Sequence, residues 1–223
     1  MPPIDKTVSW TTRATFTLNR SEITDLPVPT FDISTVGFGT GLGAFRIEKG
    51  KSATQIVGTI DSEGTIAVVG NGEPDFRVGW ANNFKYKNYG LATLIDWQQG
   101  SSIINLTRLL YDFGQVSPDY LTNGTKRLDA FSNGDIRPYV EDATFVKLRE
   151  VSLYWQVPDA YVKPLMLDAM RVSLSGRNLL TFTNYSGLDP EVSNFGNQPI
   201  GRNYDVAPYP PSRQYWLSVD ASF

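Results

Sequence analysis

The stretch DFRVGWANNFKYKNYGLATLIDWQQG, residues 75–100, decides the fold. In its first half, Phe76, Val78, Trp80, Phe84 and Tyr86 alternate with Arg77, Gly79, Asn83 and Lys85. In its second half, Leu91, Ile95 and Trp97 oppose Ala92, Asp96 and Gln98. A period of two gives a β-strand with two unlike faces. The KNYG between the halves is a tight hairpin signal. Each run exceeds the five or six residues usual for soluble strands and matches the roughly 9–11-residue tilted span of a membrane barrel.

The pattern recurs along the chain. VSWTTRATFTLN (8–19) sets Val8, Trp10, Ala14, Phe16 and Leu18 against Ser9, Thr11, Arg13, Thr15 and Thr17. KLREVSLYWQV (147–157) sets Val151, Leu153, Trp155 and Val157 against Glu150, Ser152, Tyr154 and Gln156. AMRVSLSGRNLLTF (169–182) sets Met170, Val172, Leu174 and Leu180 against Arg171, Ser173, Ser175 and Arg177. In RQYWLSVDASF (213–223), Tyr215, Leu217, Val219, Ala221 and Phe223 alternate with Ser218, Asp220 and Ser222, and Trp216 is the one apolar intruder. GAFRIEKGKSATQIVG (43–58) is less regular and reads as one more strand or a broken pair.

The connections sort by length. KNYG and PDAYVKPLMLD (158–168) are short, whereas 101–142 and 183–211 are long, rich in Asn, Asp, Gly and Pro, and lack strand periodicity. Short turns at one end and long loops at the other are the topology of an outer-membrane barrel. Charge agrees: Arg13, Arg77, Lys85, Asp96, Glu150, Arg171, Arg177 and Asp220 share the polar faces. Lys147 and Arg149 alone share parity with an apolar face, at the long-loop end. Trp10, Trp97, Trp155 and the Tyr86/Tyr89 pair fall near strand ends and suit interfacial girdles.

Composition removes whole classes of function. The 223 residues contain no Cys, so there is no disulfide, thiolate metal site or Cys nucleophile. They contain no His, the commonest metal ligand and general base near pH 7. A net charge of −3 lacks the basic footprint of a nucleic-acid binder. No apolar run approaches the ~18–20 residues of a spanning helix, and the N-terminal PPIDKTVSW has no signal-peptide pattern. Nothing calls for a cofactor, a metal or a catalytic residue.

Other motifs read as structure. Gly50-Lys51-Ser52 lacks the glycine a phosphate loop needs at position 45, which is Phe45, and reads as a turn. GFGTGLG (37–43) reads as a flexible loop or a glycine-lined strand entry. Asp189 and Glu191 flank Pro190; on an extended chain they would point to opposite faces, so a structural turn is favoured over a glycosidase pair. The acceptor-like tripeptides at Asn105, Asn123 and Asn184 would carry no sugar in a bacterial outer-membrane protein. Loop aromatics Tyr111, Phe113, Tyr120, Tyr139, Phe195, Tyr204 and Tyr209 suit either solute and partner contact or packing.

Several segments resemble, in order, the SusC/RagA family of TonB-linked outer-membrane transporters. The segments are WTTRATFTLNRSEITDLP, VVGNGEPDFRVGWANNFKYKNYGLATLIDWQQG, FVKLREVSLYWQVP and MRVSLSGRNLLTFTNYSGLDPEVSNFG. The last is the most specific, with Asn178, Leu179, Gly187, Asp189, Pro190 and Glu191 as its signature. The resemblance implies an all-β, antiparallel transmembrane barrel segment, the C-terminal strands of a 22-stranded barrel over residues 1–223, with the plug domain and TonB box absent from this chain. It implies uptake of nutrients such as oligosaccharides or peptides, in the outer membrane of a Gram-negative bacterium, with a SusD-like surface lipoprotein and TonB as partners. The remaining barrel and plug of the same transporter would be further partners, and outer-membrane lipid the surroundings. Arg77, Lys85, Asp96, Glu150, Arg171, Arg177 and Asp220 are then candidates to face the lumen, and Tyr215, Leu217, Val219, Ala221 and Phe223 to form a C-terminal assembly signal. Two alternatives stay open here: a self-standing small barrel of structural or adhesive role, and a soluble β-rich carbohydrate-binding module.

Overall fold

A computed structural model describes residues 7–33, 39–192 and 203–223. In chain order the strands are β1 (Val8–Thr17), β2 (Phe31–Ile33), β3 (Ala44–Ile47), β4 (Gln55–Thr59), β5 (Ile66–Asn71), β6 (Phe76–Tyr86) and β7 (Tyr89–Gln99). They continue as β8 (Ser102–Asn105), β9 (Val140–Asp142), β10 (Phe145–Gln156), β11 (Ala169–Thr183), β12 (Tyr204–Asp205) and β13 (Gln214–Ser222). The α-helices are α1 (Leu106–Phe113), α2 (Thr125–Ser132) and the single turn α3 (Asp159–Val162).

All the long alternating segments join one six-stranded antiparallel sheet in the order β1-β6-β7-β10-β11-β13. The β6–β7 and β10–β11 connections lie at one end, and the three long connections lie at the other. Loop sorting is as the sequence suggests. The irregular 43–58 stretch resolves into β3 and β4, which with β2 and β5 make a separate four-stranded sheet. The regions read as aperiodic loops hold a three-stranded sheet (β12-β8-β9) together with α1 and α2.

The register settles the two misfit charges. Between Leu148 and Glu150 the pairing of β10 with β7 shifts by one residue, because Ile95 and Leu94 are adjacent while Arg149 intervenes on β10. One extra residue in a strand is a β-bulge, and it inverts the parity of everything before it. Lys147 therefore pairs with Asp96 and Thr181 on the polar face, not with the apolar side its parity suggested. Arg149 also belongs with that face, since its guanidinium binds Asp96. With this correction, all ten charged residues of the six strands share one face.

The other face carries Val8, Trp10, Ala14 and Phe16 beside Phe84, Trp80 and Val78, and runs on through Leu91, Ile95, Leu153 and Leu174 to Leu217. Much of it is uncovered: Trp10 is 66% exposed, Phe16 65% and Leu217 74%. So large a bare apolar surface is foreign to a soluble monomer. Two of its indoles are paired across β1 and β6: Trp80 Nε1 donates to Thr12 Oγ1 at 2.8 Å and Trp10 Nε1 to Asn82 Oδ1 at 3.3 Å. Aromatic rings gather at both ends. Phe76 packs on Phe16 and Trp97 at the long-loop end, and Tyr89 stacks on Trp155 at the other. The ten-residue rise between these groups is roughly 33 Å along the strand, which at barrel tilt spans about 25 Å, the height of an outer-membrane apolar band.

The buried core lies outside this sheet. Phe45, Ile56, Ile104, Leu106, Leu109, Ile136, Tyr139 and Tyr204 form one cluster among the long connections. α1 begins there because Asn105 Oδ1 accepts the Arg108 backbone N–H at 2.8 Å, and it turns Leu106 and Leu109 into the core.

Substitution of neighbours tests the two faces. Ile95→Arg, in the middle of the apolar face, should cost about 2–4 kcal/mol in a bilayer. Leu94→Arg, one residue earlier at nearly the same depth, should cost under about 1 kcal/mol, because the polar face does not meet lipid. Denaturant unfolding of the membrane-assembled protein in lipid checks both; equal costs would contradict the assignment of faces.

Candidate functional site

The site combines the polar face of the sheet with the loops folded over its end. Its centre is an ion cluster. Lys147 Nζ lies 2.6 and 2.8 Å from the Asp189 carboxylate oxygens and 2.6 Å from Glu191 Oε2. Arg149 bridges Asp96 Oδ2 at 2.5 Å and Glu191 at 2.7 Å. Lys147 and Asp189 are nearly buried, with side chains 5% and 7% exposed. Burial pushes the Glu191 carboxyl up, but hydrogen bonds from Arg149 and Lys147 outweigh it and hold the group below its ordinary range.

This explains the signature. Asp189 and Glu191 do not point apart, because the chain turns at Pro190: Asp189 Oδ1 accepts the Glu191 N–H at 2.8 Å, and both carboxylates converge on Lys147. The structural reading of this pair stands. At Gly187 a Cβ would lie 2.4 Å from Tyr185 Cε1, so only glycine fits over that buried ring. Asn178 takes a left-handed conformation, φ 52°, tolerated better by Asn than by most residues. Its Nδ2 donates to the Ser212 carbonyl at 3.2 Å, beyond Arg177↔Gln214, the end of the β11–β13 ladder. Leu179 packs close to Gly176.

The remaining sequence candidates divide. Arg177 Nε binds Glu150 at 2.9 Å, and its guanidinium lies 5.1 Å from the Trp216 ring, so the apolar intruder of β13 has a cation partner on the polar face. Arg171 lies 4.8 Å from the Tyr154 ring and opposite Asp220 in register. Arg77 and Lys85 stand on β6 facing the same side. Tyr215, Leu217, Val219 and Ala221 lie on the apolar face of β13, and Phe223 follows it, 91% exposed.

Sequence reasoning missed a second ion network in the loops. Arg127 spans Asp112, with Nε and Nη2 at 2.7 and 2.8 Å, and Asp119, with Nη1 and Nη2 both at 2.8 Å. Asp112 also accepts from Ser117 Oγ at 2.5 Å and from Tyr139 Oη at 3.0 Å. Arg108 extends the network to Asp119 at 3.1 Å and Glu141 at 3.3 Å. Burial raises the Asp112 carboxyl, but the bonds from Arg127, Ser117 and Tyr139 hold it below the usual range; Asp119 is lowered chiefly by its bond from Arg127. Burial, then Asp112, pushes the Tyr139 hydroxyl up. The available signal was Asn105 before a Leu106/Leu109 repeat, a capped helix start. Beside this network opens a cavity of about 490 Å³, lined among others by Arg108, Tyr111, Ser117, Leu188 and Pro208.

Two other motif segments meet as a clasp. Glu73, before β6, accepts from Asn19, from the Ser21 N–H at 3.0 Å and from Ser21 Oγ at 3.1 Å. Arg20 binds the Pro74 carbonyl at 3.0 Å and Asp75 at 2.9 Å. The loop aromatics split: Tyr139 and Tyr204 are core, Tyr111, Phe113 and Tyr209 are exposed, and Phe195 lies outside the described residues. Gly50 sits in a turn with φ 79°, and Gly43 leads directly into β3; residues 37 and 38 of the glycine-rich stretch lie outside the described residues. Asn105 is buried, with its amide bonded to Glu141 at 2.9 Å and Ser186 at 3.1 Å.

A two-faced antiparallel sheet with long loops at one end belongs to the membrane-barrel class. No family model matches the chain. It is 28% identical over 188 residues to TonB-dependent receptor P3 of Formosa agariphila, covering 76% of this chain and 19% of that protein. It is 28% identical over 177 residues to receptor P26 of the same organism, covering 70% and 18%. The solved RagAB peptide transporter superposes with a TM-score of 0.72 at 22% identity, over 98% of this chain and 27% of that one. The RagAB importer in its open-open state gives 0.67 at 20% identity, over 99% and 27%. The chain thus spans about a fifth of the length of the curated relatives it matches. Over that part its sequence is similar to those TonB-dependent receptors and its fold to the RagAB barrel.

Arg127→Gln should destabilise the loop region by about 3–5 kcal/mol at pH 7, because it leaves a buried carboxylate uncompensated. Asp112 and Asp119 have depressed folded values, so their contribution is present above about pH 4, the unfolded carboxylate range, and is lost as pH falls through the folded values. The gap between variant and parent should therefore narrow in acid. Hydrogen exchange of the α1 and α2 amides at pH 7 and about pH 3 measures it; an unchanged gap would count against the network.

Proposed function

We infer that the chain forms part of the barrel wall of a TonB-dependent outer-membrane importer for nutrients such as oligosaccharides or peptides. The observation that carries this reading is the segregation of all ten strand charges onto one face of a sheet whose other face is bare and apolar. In a bilayer the apolar face meets lipid and the polar face, with Arg77, Lys85, Asp96, Glu150, Arg171, Arg177 and Asp220, meets a water-filled lumen. The likeness to TonB-dependent receptors and to RagAB supports the transport role.

On this reading residues 1–223 contribute C-terminal barrel strands, while plug and TonB box belong to other parts of the transporter. The folded loops stand outside the membrane, where a SusD-like surface lipoprotein would meet them. The protein binds and gates its solute and does no covalent chemistry. A soluble carbohydrate-binding module would not leave this apolar face bare. A small self-standing barrel would have to pair β1 with β13, which occupy opposite ends of the strand order.

The test is uptake. In cells whose only source of a candidate nutrient is this transporter, uptake should require both the full-length protein and TonB. Uptake that persists without TonB would overturn the reading. The alternation Tyr215, Leu217, Val219, Ala221, Phe223 serves as an assembly signal at the end of β13. Deleting Phe223 should lower the heat-modifiable, surface-exposed protein severalfold by quantitative blotting; normal surface levels would contradict that role.

A further inference from the structure

The polar face divides its cations into two kinds. Lys147, Arg149 and Arg177 are fixed by carboxylates, and Arg171 lies over the Tyr154 ring. Arg13, Arg77 and Lys85 have no ion-pair or hydrogen-bond partner among the described residues. They are also aligned. Arg77 is opposite Thr17, Arg13 opposite Ala81 and Lys85 opposite Ser9, so Arg13 falls midway between the two β6 cations. Each step is four residues, about 13 Å along the strand. The row runs from the loop end of the sheet to its turn end.

The surface beside this row is cut low. Gly79, Ala81 and Ala92 bring small side chains to the polar face, whereas at Gly90 the space above the backbone is filled by the Tyr154 ring. Next to Arg13 lies a shallow recess of about 490 Å³, lined by Thr11, Ala81, Asn83, Ala92, Leu94 and Glu150. Glu150 is already engaged by Arg177. The free charge at the recess is therefore positive, although the chain as a whole carries −3.

Resting on the reading of this face as a lumen wall, we propose that Arg77, Arg13 and Lys85 form a cation ladder that binds an anionic solute, a carboxylated or sulfated oligomer, along its path. Stepped positive charge over a low polar floor concentrates an anion and passes it between neighbouring sites without fixing it at one. The shared chemistry is a repeating negative charge on an extended polar chain, which complements a row of cations at regular spacing.

The test uses the full-length transporter carrying Arg13→Gln, Arg77→Gln and Lys85→Gln together, with Arg171→Gln as a control cation. The probes are a labelled oligogalacturonate and its fully methyl-esterified, neutral form of equal length. The parent should prefer the acid form, and the triple variant should lose about tenfold of that preference, the size expected of three exposed ion pairs. Raising salt from about 50 mM to about 500 mM should erase the parent's preference to the same degree. Arg171→Gln should leave it intact. Equal losses for both probes would overturn the ladder, as would an unchanged acid-to-neutral ratio accompanied by a lower unfolding midpoint, which would mark these cations as partners of carboxylates elsewhere in the same protein. Binding is read on purified protein and uptake in cells. In the parent, a binding preference without TonB-dependent uptake counts against the importer reading alone, and uptake with no preference for the acid form counts against the ladder alone.

Discussion

The ion cluster around Lys147 ties the two halves of the molecule together. The sheet supplies Lys147, Arg149 and Asp96, and the loop after β11 supplies Asp189 and Glu191. Neither side could hold its charges alone at this burial, since an unpaired buried ion costs several kcal/mol. The β-bulge at Arg149 makes the cluster possible, because it puts Lys147 on the face that carries Asp96 and Glu150, where regular alternation counted back from Glu150 would send it to the apolar side. With Arg149 kept and the bulge straightened, alternation counted back from Glu150 would put Lys147 on the apolar surface. The bulge thus sets both the chemistry of the polar face and the anchorage of the loops.

The six long strands were legible because each carries its own periodicity, and the sorting of short and long connections placed them in antiparallel order. Parity arithmetic failed at one point, Arg149, because a bulge leaves no mark in composition. The loops were less legible for a different reason. Their short strands β2 to β5 and β8, β9 and β12 have two to six residues each, too few to show a period. Their order comes from tertiary contacts such as Tyr204 Oη donating to the Gly43 carbonyl at 2.7 Å across 161 residues. Asp189 and Glu191 were recognisable as a motif but not as ligands of Lys147, since that depends on a turn whose geometry is set by Asp189 itself.

The division of labour in stability follows from the surroundings. A soluble protein buries its apolar side chains in one interior, and here that interior lies wholly within the loops, around Ile56, Ile104, Tyr139 and Tyr204. The sheet buries little of its apolar face against protein. Its large side chains point outward, and backbone pairing along nine to eleven residues of each ladder holds it together. In hydrocarbon that is the stronger arrangement, because every backbone group must find a partner within the structure. In water it would be the weaker one.

The same rule bears on the two outer strands. Among the described residues β1 pairs only with β6, and β13 only with β11. An unpaired strand edge cannot rest in lipid, since each free N–H and C=O costs several kcal/mol there. Six strands are too few to curl these edges together without closing a cylinder narrower than the eight-strand barrels whose interiors side chains already fill. The polar face here carries Lys147, Arg149, Tyr154, Arg171, Arg177 and Trp216, too bulky a set for so small a bore. On the proposed reading, further strands of the same transporter complete the wall on both sides. That agrees with a chain covering 27% of the RagAB protein it superposes on. The width that such a wall creates is what leaves room over Gly79, Ala81 and Ala92 for a solute.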